Sequence, residues 1–285
     1  MKSLWRMSRR RPARRITQKN NSIGGVCRLT YCNPKQIGGI LIAKLIVAEK
    51  PSVAMSYAKV LGATSRQDGY LEGNGYLVSW CVGHLVTMSY PEAYDEKYKR
   101  WSLTTLPFLP KEWKYEVISS VKKQFQIVSS LLNRPDVTCI YVCTDSGREG
   151  EYIYRLVDQM AHVGDKDKRR VWIDSQTEEE ILRGIREAKP LAEYDHLADA
   201  AYLRAKEDYL MGINFSRLLT LKYGQSMSNY LGTKYTVISV GRVMTCVLGM
   251  VVRREREIRY FVKTPFYRVL AAADVMGREV EAEWR

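Results

Sequence analysis

The run Thr144-Asp145-Ser146-Gly147-Arg148-Glu149-Gly150-Glu151 follows directly on a β-branched, apolar stretch, Val137-Thr138-Cys139-Ile140-Tyr141-Val142-Cys143, and leads into a helix-like segment. Acidic residues at a strand-to-helix turn stand where open α/β sheets place their ligands. A second junction of the same kind lies where Lys44-Leu45-Ile46-Val47-Ala48 meets Glu49-Lys50-Pro51-Ser52. Two such strand ends bring Glu49, Asp145 and Glu149 together. Three carboxylates at one sheet edge repel unless a cation neutralises them, and hard oxygen ligands of this kind suit Mg²⁺. The alternative is that Asp145 and Glu149 only cap and charge the following helix, since acids are favoured near a helix N-terminus.

The elements that must position these groups follow from periodicity. A strand over 44–48 precedes a helix over 52–61, with Pro51 tolerated in the first turn. Tyr76-Leu77-Val78-Ser79-Trp80-Cys81-Val82 reads as a buried strand. It is followed by a Tyr-, Pro- and Lys-rich connection through Pro110-Lys111, too long for a simple turn. A helix from about Val121 to Leu132 leads into strand 137–143, and helix 148–161 follows the acidic turn. Gly164 to Arg170 reads as a charged loop and Val171-Trp172-Ile173 as a strand. Thr177-Glu178-Glu179-Glu180 offers a capping box for a helix to about Ala188. Repeated βα units imply a parallel sheet with right-handed crossovers. Beyond residue 190 the pattern becomes helical, with Leu197 to about Tyr223 forming one helix or two broken near Gly212. Gly241 to Phe261 forms another helix, and Phe266-Tyr267-Arg268-Val269-Leu270 restarts a strand.

The chain has 285 residues, 46% of them hydrophobic, with a formal net charge of +14. That is enough for a sizeable core in one large or two ordinary domains. The charge is uneven. Residues 1–43 hold ten of the 45 Lys and Arg and no acid, so the remainder carries 35 basic against 31 acidic groups. The basicity is mostly a tail, whose irregular mixture reads as an unstructured extension. No apolar stretch resembles a secretory signal or spans a bilayer, which predicts a cytoplasmic protein without a membrane partner. The six cysteines form no C-x₂-C pair, which argues against a zinc site and against a disulfide framework.

Five ordered motifs resemble those of the type IA DNA topoisomerases, most closely the bacterial topoisomerase III branch. They are Val47-Ala48-Glu49-Lys50-Pro51-Ser52, Trp80-Cys81-Val82-Gly83-His84-Leu85, the acidic turn 144–151, Asp208-Tyr209-Leu210-Met211-Gly212-Ile213-Asn214-Phe215-Ser216-Arg217, and Ser239-Val240-Gly241-Arg242-Val243-Met244-Thr245. The resemblance covers residues 44–285 and leaves 1–43 outside it. It implies an α/β fold: a Toprim domain, with a Rossmann-like parallel sheet, over 44–190; a mainly helical DNA-binding domain over 191–262; and the first strands of a β-rich gate domain over 263–285.

The same resemblance implies roles. Glu49 acts in proton transfer and helps hold Mg²⁺ with Asp145 and Glu149, and Lys50 stabilises charge on the attacked phosphate. Trp101, Arg204, Arg217 and the segment Ser239, Val240, Gly241, Arg242, Val243 and Met244 contact single-stranded or underwound duplex DNA. For Arg204 the plainer reading is a surface pair with Asp208 four residues on. His84 lies near the cleft in the family, although the plainer reading is a satisfied core histidine at a strand end. Gly147 stands where the family usually has a third acid, which argues for a single metal ion. Family members attack DNA with a tyrosine in a motif resembling Tyr-Pro-Arg-Thr-Asp, giving a 5′-phosphotyrosyl intermediate. No such motif occurs in this sequence; Tyr90-Pro91-Glu92-Ala93 lacks the Arg-Thr-Asp. The expectation is therefore an N-terminal portion of such an enzyme. The alternative is a fragment that binds single-stranded DNA and Mg²⁺ without cleaving.

Overall fold

The computed structural model describes residues 36–37, 40–41 and 43–283. The readings made of residues 1–35 lie outside the described residues. The main sheet begins with β1 (Ala43–Ala48), followed by α1 (Pro51–Leu61), β2 (Ser65–Gln67), β3 (Tyr70–Gly73) and β4 (Tyr76–Trp80). A small two-stranded sheet, β5 (Val86–Met88) with β6 (Tyr115–Val117), brackets the long connection. Then come α2 (Lys122–Leu132), β7 (Val137–Cys143), α3 (Arg148–Met160), β8 (Asp167–Arg170), α4 (Glu178–Arg186) and β9 (Lys189–Pro190). The strand order is β9-β8-β7-β1-β4-β3-β2.

The four central strands β8, β7, β1 and β4 are parallel. Both edges are antiparallel, which makes the sheet mixed rather than parallel throughout. Alternation along the strands divides the core in two. Leu45, Val47, Ile140 and Val142 pack with Val128 and Leu132 of α2 and Leu156 and Val157 of α3. Ile46, Ala48, Tyr141 and Cys143 pack with Ala54 and Tyr57 of α1 and Ile181 of α4. Helices on both faces of a parallel centre leave the carboxyl ends of β1, β4 and β7 as one open edge. The described cysteines Cys81, Cys139, Cys143 and Cys246 are all free thiols. Burial pushes the Cys81 and Cys143 thiols up to about 12.

Two local expectations are corrected, and one left open between a single helix and two is decided for the single helix. The strand near residue 170 is Asp167–Arg170, and Val171-Trp172-Ile173 is not a strand. Its charges disguised it: Lys168 pairs with Asp158 at 2.8 Å, Arg169 with Asp167 at 2.8 Å, and Arg170 is wholly buried against Glu151. Thr177 begins α4 without a side-chain capping bond. The long helix α5 (Asp195–Leu231) runs unbroken through Gly212.

Gly212, Ser216, Thr220, Gly224 and Ser228 recur every four residues along α5, so they share a face. The returning segment lies against that face. Thr233 N–H donates to Ser228 O, Ile238 N–H to Thr220 Oγ1 at 2.9 Å and Val240 N–H to Ser216 Oγ at 2.8 Å. A Cβ on Gly224 would stand 2.9 Å from Thr236 O. Hydroxyls at this spacing supply the bonds that a neighbouring strand would otherwise give, and they deliver the chain to α6 (Arg242–Arg259). The final hairpin pairs β10 (Leu270–Val275) with β11 (Arg278–Glu283); its strand starts at Leu270, so most of the predicted Phe266 to Leu270 strand lies outside it. Among the described residues no helix is long and apolar enough to cross a membrane.

Gly150 in the first turn of α3 faces the backbone of the acidic turn: a Cβ there would stand 2.1 Å from Asp145 O. The clash is with main chain, so relief requires the turn itself to move. Gly150→Ala should cost about 3 kcal/mol, the upper end for overpacking, read as a lower urea midpoint at unchanged slope. An unaltered midpoint would show that the turn yields freely.

Candidate functional site at the carboxyl edge of the sheet

Glu49 is the first residue past β1, is 7% exposed, and turns its carboxylate across the sheet edge. Its Oε2 accepts the N–H of Asp145 at 3.2 Å, joining the end of β1 to the end of the neighbouring β7. The Lys50 ammonium sits between the two acids, 3.3 Å from Glu49 Oε1 and 3.2 Å from Asp145 Oδ2. These carboxylates hold the Lys50 ammonium above its usual range, the Asp145 hydrogen bond contributing most. The end of β4 adds His84, whose Nε2 lies 2.7 Å from Glu149 Oε1 and whose ring meets Tyr152 edge-on at 6.0 Å. His84 is therefore not enclosed in the core; its side chain keeps 37% exposure.

Glu49 and Asp145 are thus brought together around one cation, while Glu149 is engaged by His84. Among the described residues no group of three or more His, Cys, Asp or Glu side chains is placed to hold a metal ion. The donor chemistry nevertheless fits a hard divalent ion, since the oxygens that converge are carboxylates. Gly147 has an extended φ of 176 and open space around a would-be Cβ, so its backbone does not demand glycine.

The turn is held from beneath by residues that sequence reasoning missed. Arg170, at the end of β8, has zero exposure. Its Nε donates to Glu151 Oε2 at 2.9 Å, Nη1 to Val142 O at 3.1 Å, Thr144 O at 2.7 Å and Val171 O at 3.1 Å, and Nη2 to Asp145 O at 2.7 Å. The other oxygen of Glu151 accepts from Arg155 Nε at 2.9 Å, and Arg155 Nη2 reaches Leu191 O and Asp195 at 2.8 Å each. The one sequence signal for this network was an arginine in a charged run just ahead of the Val171-Trp172-Ile173 stretch.

A second locus lies along α5. A cavity of about 640 Å³ is lined by Trp101, Arg217, Ser239 and Val240 among the predicted DNA contacts, together with Tyr90 and Tyr209. Arg217 is 4% exposed, stacks over Trp101 at 5.1 Å, donates Nη1 to Tyr98 O at 3.0 Å and lies 3.7 Å from Glu92. Its Nε is buried without a partner, and burial draws its guanidinium below the usual value. Asp208 gathers two further arginines: Arg242, whose Nη2 donates to Oδ2 at 3.0 Å and whose Nε lies 2.9 Å from Oδ1, and Arg204 at 3.9 Å. Gly241 caps α6 with an extended φ and no side-chain bond, and Val243 and Met244 are exposed in its first turn.

Known families match this arrangement. A model of the Toprim domain matches residues 44–175 and one described as DNA topoisomerase matches residues 192–285. DNA topoisomerase 3 of Shouchella clausii is 42% identical over 226 residues, covering 79% of this chain and 29% of that protein. DNA topoisomerase 3 of Bacillus subtilis is 40% identical over 232 residues, covering 81% and 30%, and that of Bacillus licheniformis gives the same figures. The carboxylate edge therefore lies within a Toprim domain, a class of domain that binds a divalent metal. The chain belongs to the type IA DNA topoisomerases as a topoisomerase III-like N-terminal portion, and it spans about 30% of the length of the curated relatives it matches.

Removing one partner of the Arg170–Glu151 pair leaves a buried charge uncompensated. Arg170→Met and Glu151→Gln should each cost about 3–5 kcal/mol. The double variant should cost much less than the sum, measured by urea unfolding as a double-mutant cycle. Strictly additive costs would mean that the two groups do not act as a unit.

Proposed function

We propose that the complete protein containing this portion cleaves one DNA strand, passes another through the gap and reseals it. The observation that carries the reading is the meeting of Glu49 and Asp145, from adjacent parallel strands, around the Lys50 ammonium at 3.3 and 3.2 Å. In this reading Glu49 moves a proton at the scissile phosphodiester. Lys50, half exposed and free to exchange a carboxylate for a phosphate oxygen, stabilises the charge that develops there. Mg²⁺ is the proposed ion, held by Glu49 and Asp145 and, once His84 releases it, by Glu149. When bound it neutralises the carboxylates and polarises the phosphate. The nucleophilic tyrosine, and with it the 5′-phosphotyrosyl bond, is assigned to the part of the relatives that this chain does not span. The proposed setting is the cytoplasm.

The groove along α5 is proposed to hold the unpaired strand. Trp101 offers a stacking face, and Arg204, Arg217 and Arg242 offer positive charge. Ser239, Val240 and Gly241 lead into the helix start, where the first-turn main-chain N–H groups of Arg242, Val243 and Met244 face outward and phosphates bind well.

The isolated chain should bind a single-stranded oligonucleotide with an affinity that falls as salt rises. Arg204→Ala should flatten the log–log slope by about 0.7. No denaturation-resistant adduct should form until the remaining portion of a topoisomerase 3 is supplied, and Glu49→Gln should then abolish cleavage. An adduct formed by the chain alone, or full activity of the Glu49 variant, would overturn the assignment.

Restoring an acid in the turn should strengthen cation binding. Gly147→Asp is expected to leave the urea midpoint unchanged and to tighten Mg²⁺ about tenfold, roughly 1.4 kcal/mol, by titration calorimetry. Unaltered affinity would place the ion away from this turn.

A further inference from the structure

Beside the carboxylate edge, on the α1 and α4 side of the sheet, lies a second cavity of about 300 Å³ that shares Asp145 with the site above. It exists because the loop after β7 is tied to the segment after β8. Ser146 Oγ donates to Ile173 O at 2.8 Å and accepts the Ile173 N–H at 3.0 Å. Val53 and Ile173 give it apolar walls, while Thr144, Asp145, Asp174 and Gln176 give it polar ones. A half-open cleft of this size, with an apolar floor and a few convergent polar groups at its rim, has room for one planar ring and groups to hydrogen-bond its edge.

Asp145 and Ser146 are already engaged, but three other polar groups keep hydrogen-bonding capacity in hand. Thr144 is 3% exposed, and its hydroxyl is buried without a hydrogen-bond partner. The Asp174 carboxylate is exposed and has no hydrogen-bond or ion-pair partner among the described residues. Gln176 accepts from Ser56 through Oε1 at 3.4 Å, which leaves its amide N–H groups available. No Lys or Arg lines the cavity, so it does not suit a phosphate. It offers acceptors for a ligand's amino group with a donor beside them. Cytosine and adenine present that order on their pairing edges, an exocyclic amino group next to a ring-nitrogen acceptor. Thymine instead places a carbonyl oxygen where the amino group would be. Carboxylates accept from the amino group of cytosine, and carboxamides read adenine.

We propose that this cavity receives one unpaired cytosine or adenine of the DNA strand whose phosphate lies at Glu49, Lys50 and Asp145. The Asp174 carboxylate takes the amino group and Gln176 donates to the ring nitrogen. The inference rests on the proposed function and adds to it a base preference at the nucleotide next to the scissile phosphate. Enzymes that act on unpaired strands commonly extrude a base into such a pocket and read its pairing edge.

The test is fluorescence anisotropy of the full chain, in buffer containing Mg²⁺, with oligodeoxycytidylate, oligodeoxyadenylate and oligothymidylate of equal length. The first two should bind about tenfold more tightly than the third, as one good base contact allows. Asp174→Ala, and independently Gln176→Ala, should bring that ratio close to one while leaving the thymidylate affinity in place. Both side chains are exposed, so neither variant should disturb the core. Two results would overturn the proposal: an unchanged ratio in both variants, or a common shift for all three oligonucleotides, which would report only the lost negative charge. If the unaltered chain bound none of the three, the DNA-groove reading would fall and this inference with it. Binding with an unchanged ratio would remove this inference alone.

Discussion

Arg170 carries a full positive charge at zero exposure, and such a charge persists only when its donors are satisfied and an opposite charge lies against it. The guanidinium meets both conditions with Glu151 and with four carbonyl oxygens, three of which belong to the end of β7 and the turn that follows it. The backbone of Thr144 and Asp145 is thereby fixed from below by a group that cannot move without stranding its charge. Gly150 fixes it from the side, since the first turn of α3 comes too close to Asp145 O for any side chain. The Asp145 and Glu149 carboxylates above can therefore be exposed and hydrated while the turn beneath them stays fixed.

The same ion pair extends to the second locus. Glu151 shares its carboxylate between Arg170 and Arg155, and Arg155 reaches Asp195 in the first turn of α5. α5 in turn carries the small-residue face that holds 233–240 and so places Ser239 and Gly241. Linkage from the acidic turn to the start of α6 thus runs through one buried ionic node and one continuous helix. An unbroken α5 matters here, because a break at Gly212 would separate Asp208 from the hydroxyls of Ser216 and Thr220.

Much of this was legible in the residues. The strand at 137–143 shows itself by β-branched and apolar runs, and Glu49 and Asp145 by their places directly after such runs. What stayed hidden is instructive. Arg170 belongs to a strand that reads as a charged loop, because a buried arginine has the same letter as a solvated one until Glu151, nineteen positions earlier, is placed against it. Glu149 reads as the natural third ligand, but no local pattern announces that His84, from the loop after β4, stands 2.7 Å away. Gly212 reads as a helix breaker because its local cost is visible. The segment that packs against it, with Val240 O 3.6 Å from a would-be Cβ, is not. Antiparallel edges likewise escape a reading built on repeated βα units, since β2, β3 and β9 are too short to carry a pattern.

Charge counting connects the geometry to the proposed chemistry. Glu49, Asp145 and Glu149 contribute three negative charges and Lys50 one positive charge, which leaves the edge near −2 when His84 is neutral. A phosphodiester approaching that edge would be repelled at short range, where opposing charges matter most in a partly dry site. One divalent cation brings the set to neutrality and leaves Lys50 available for the phosphate. In the arrangement seen here Lys50 spans Glu49 and Asp145, so a single monovalent group does provisionally what the cation would do fully. A site that substitutes a tethered ammonium for an exchangeable ion stays folded without the ion. On the proposed reading, the ion then completes the neutralisation that a phosphate requires.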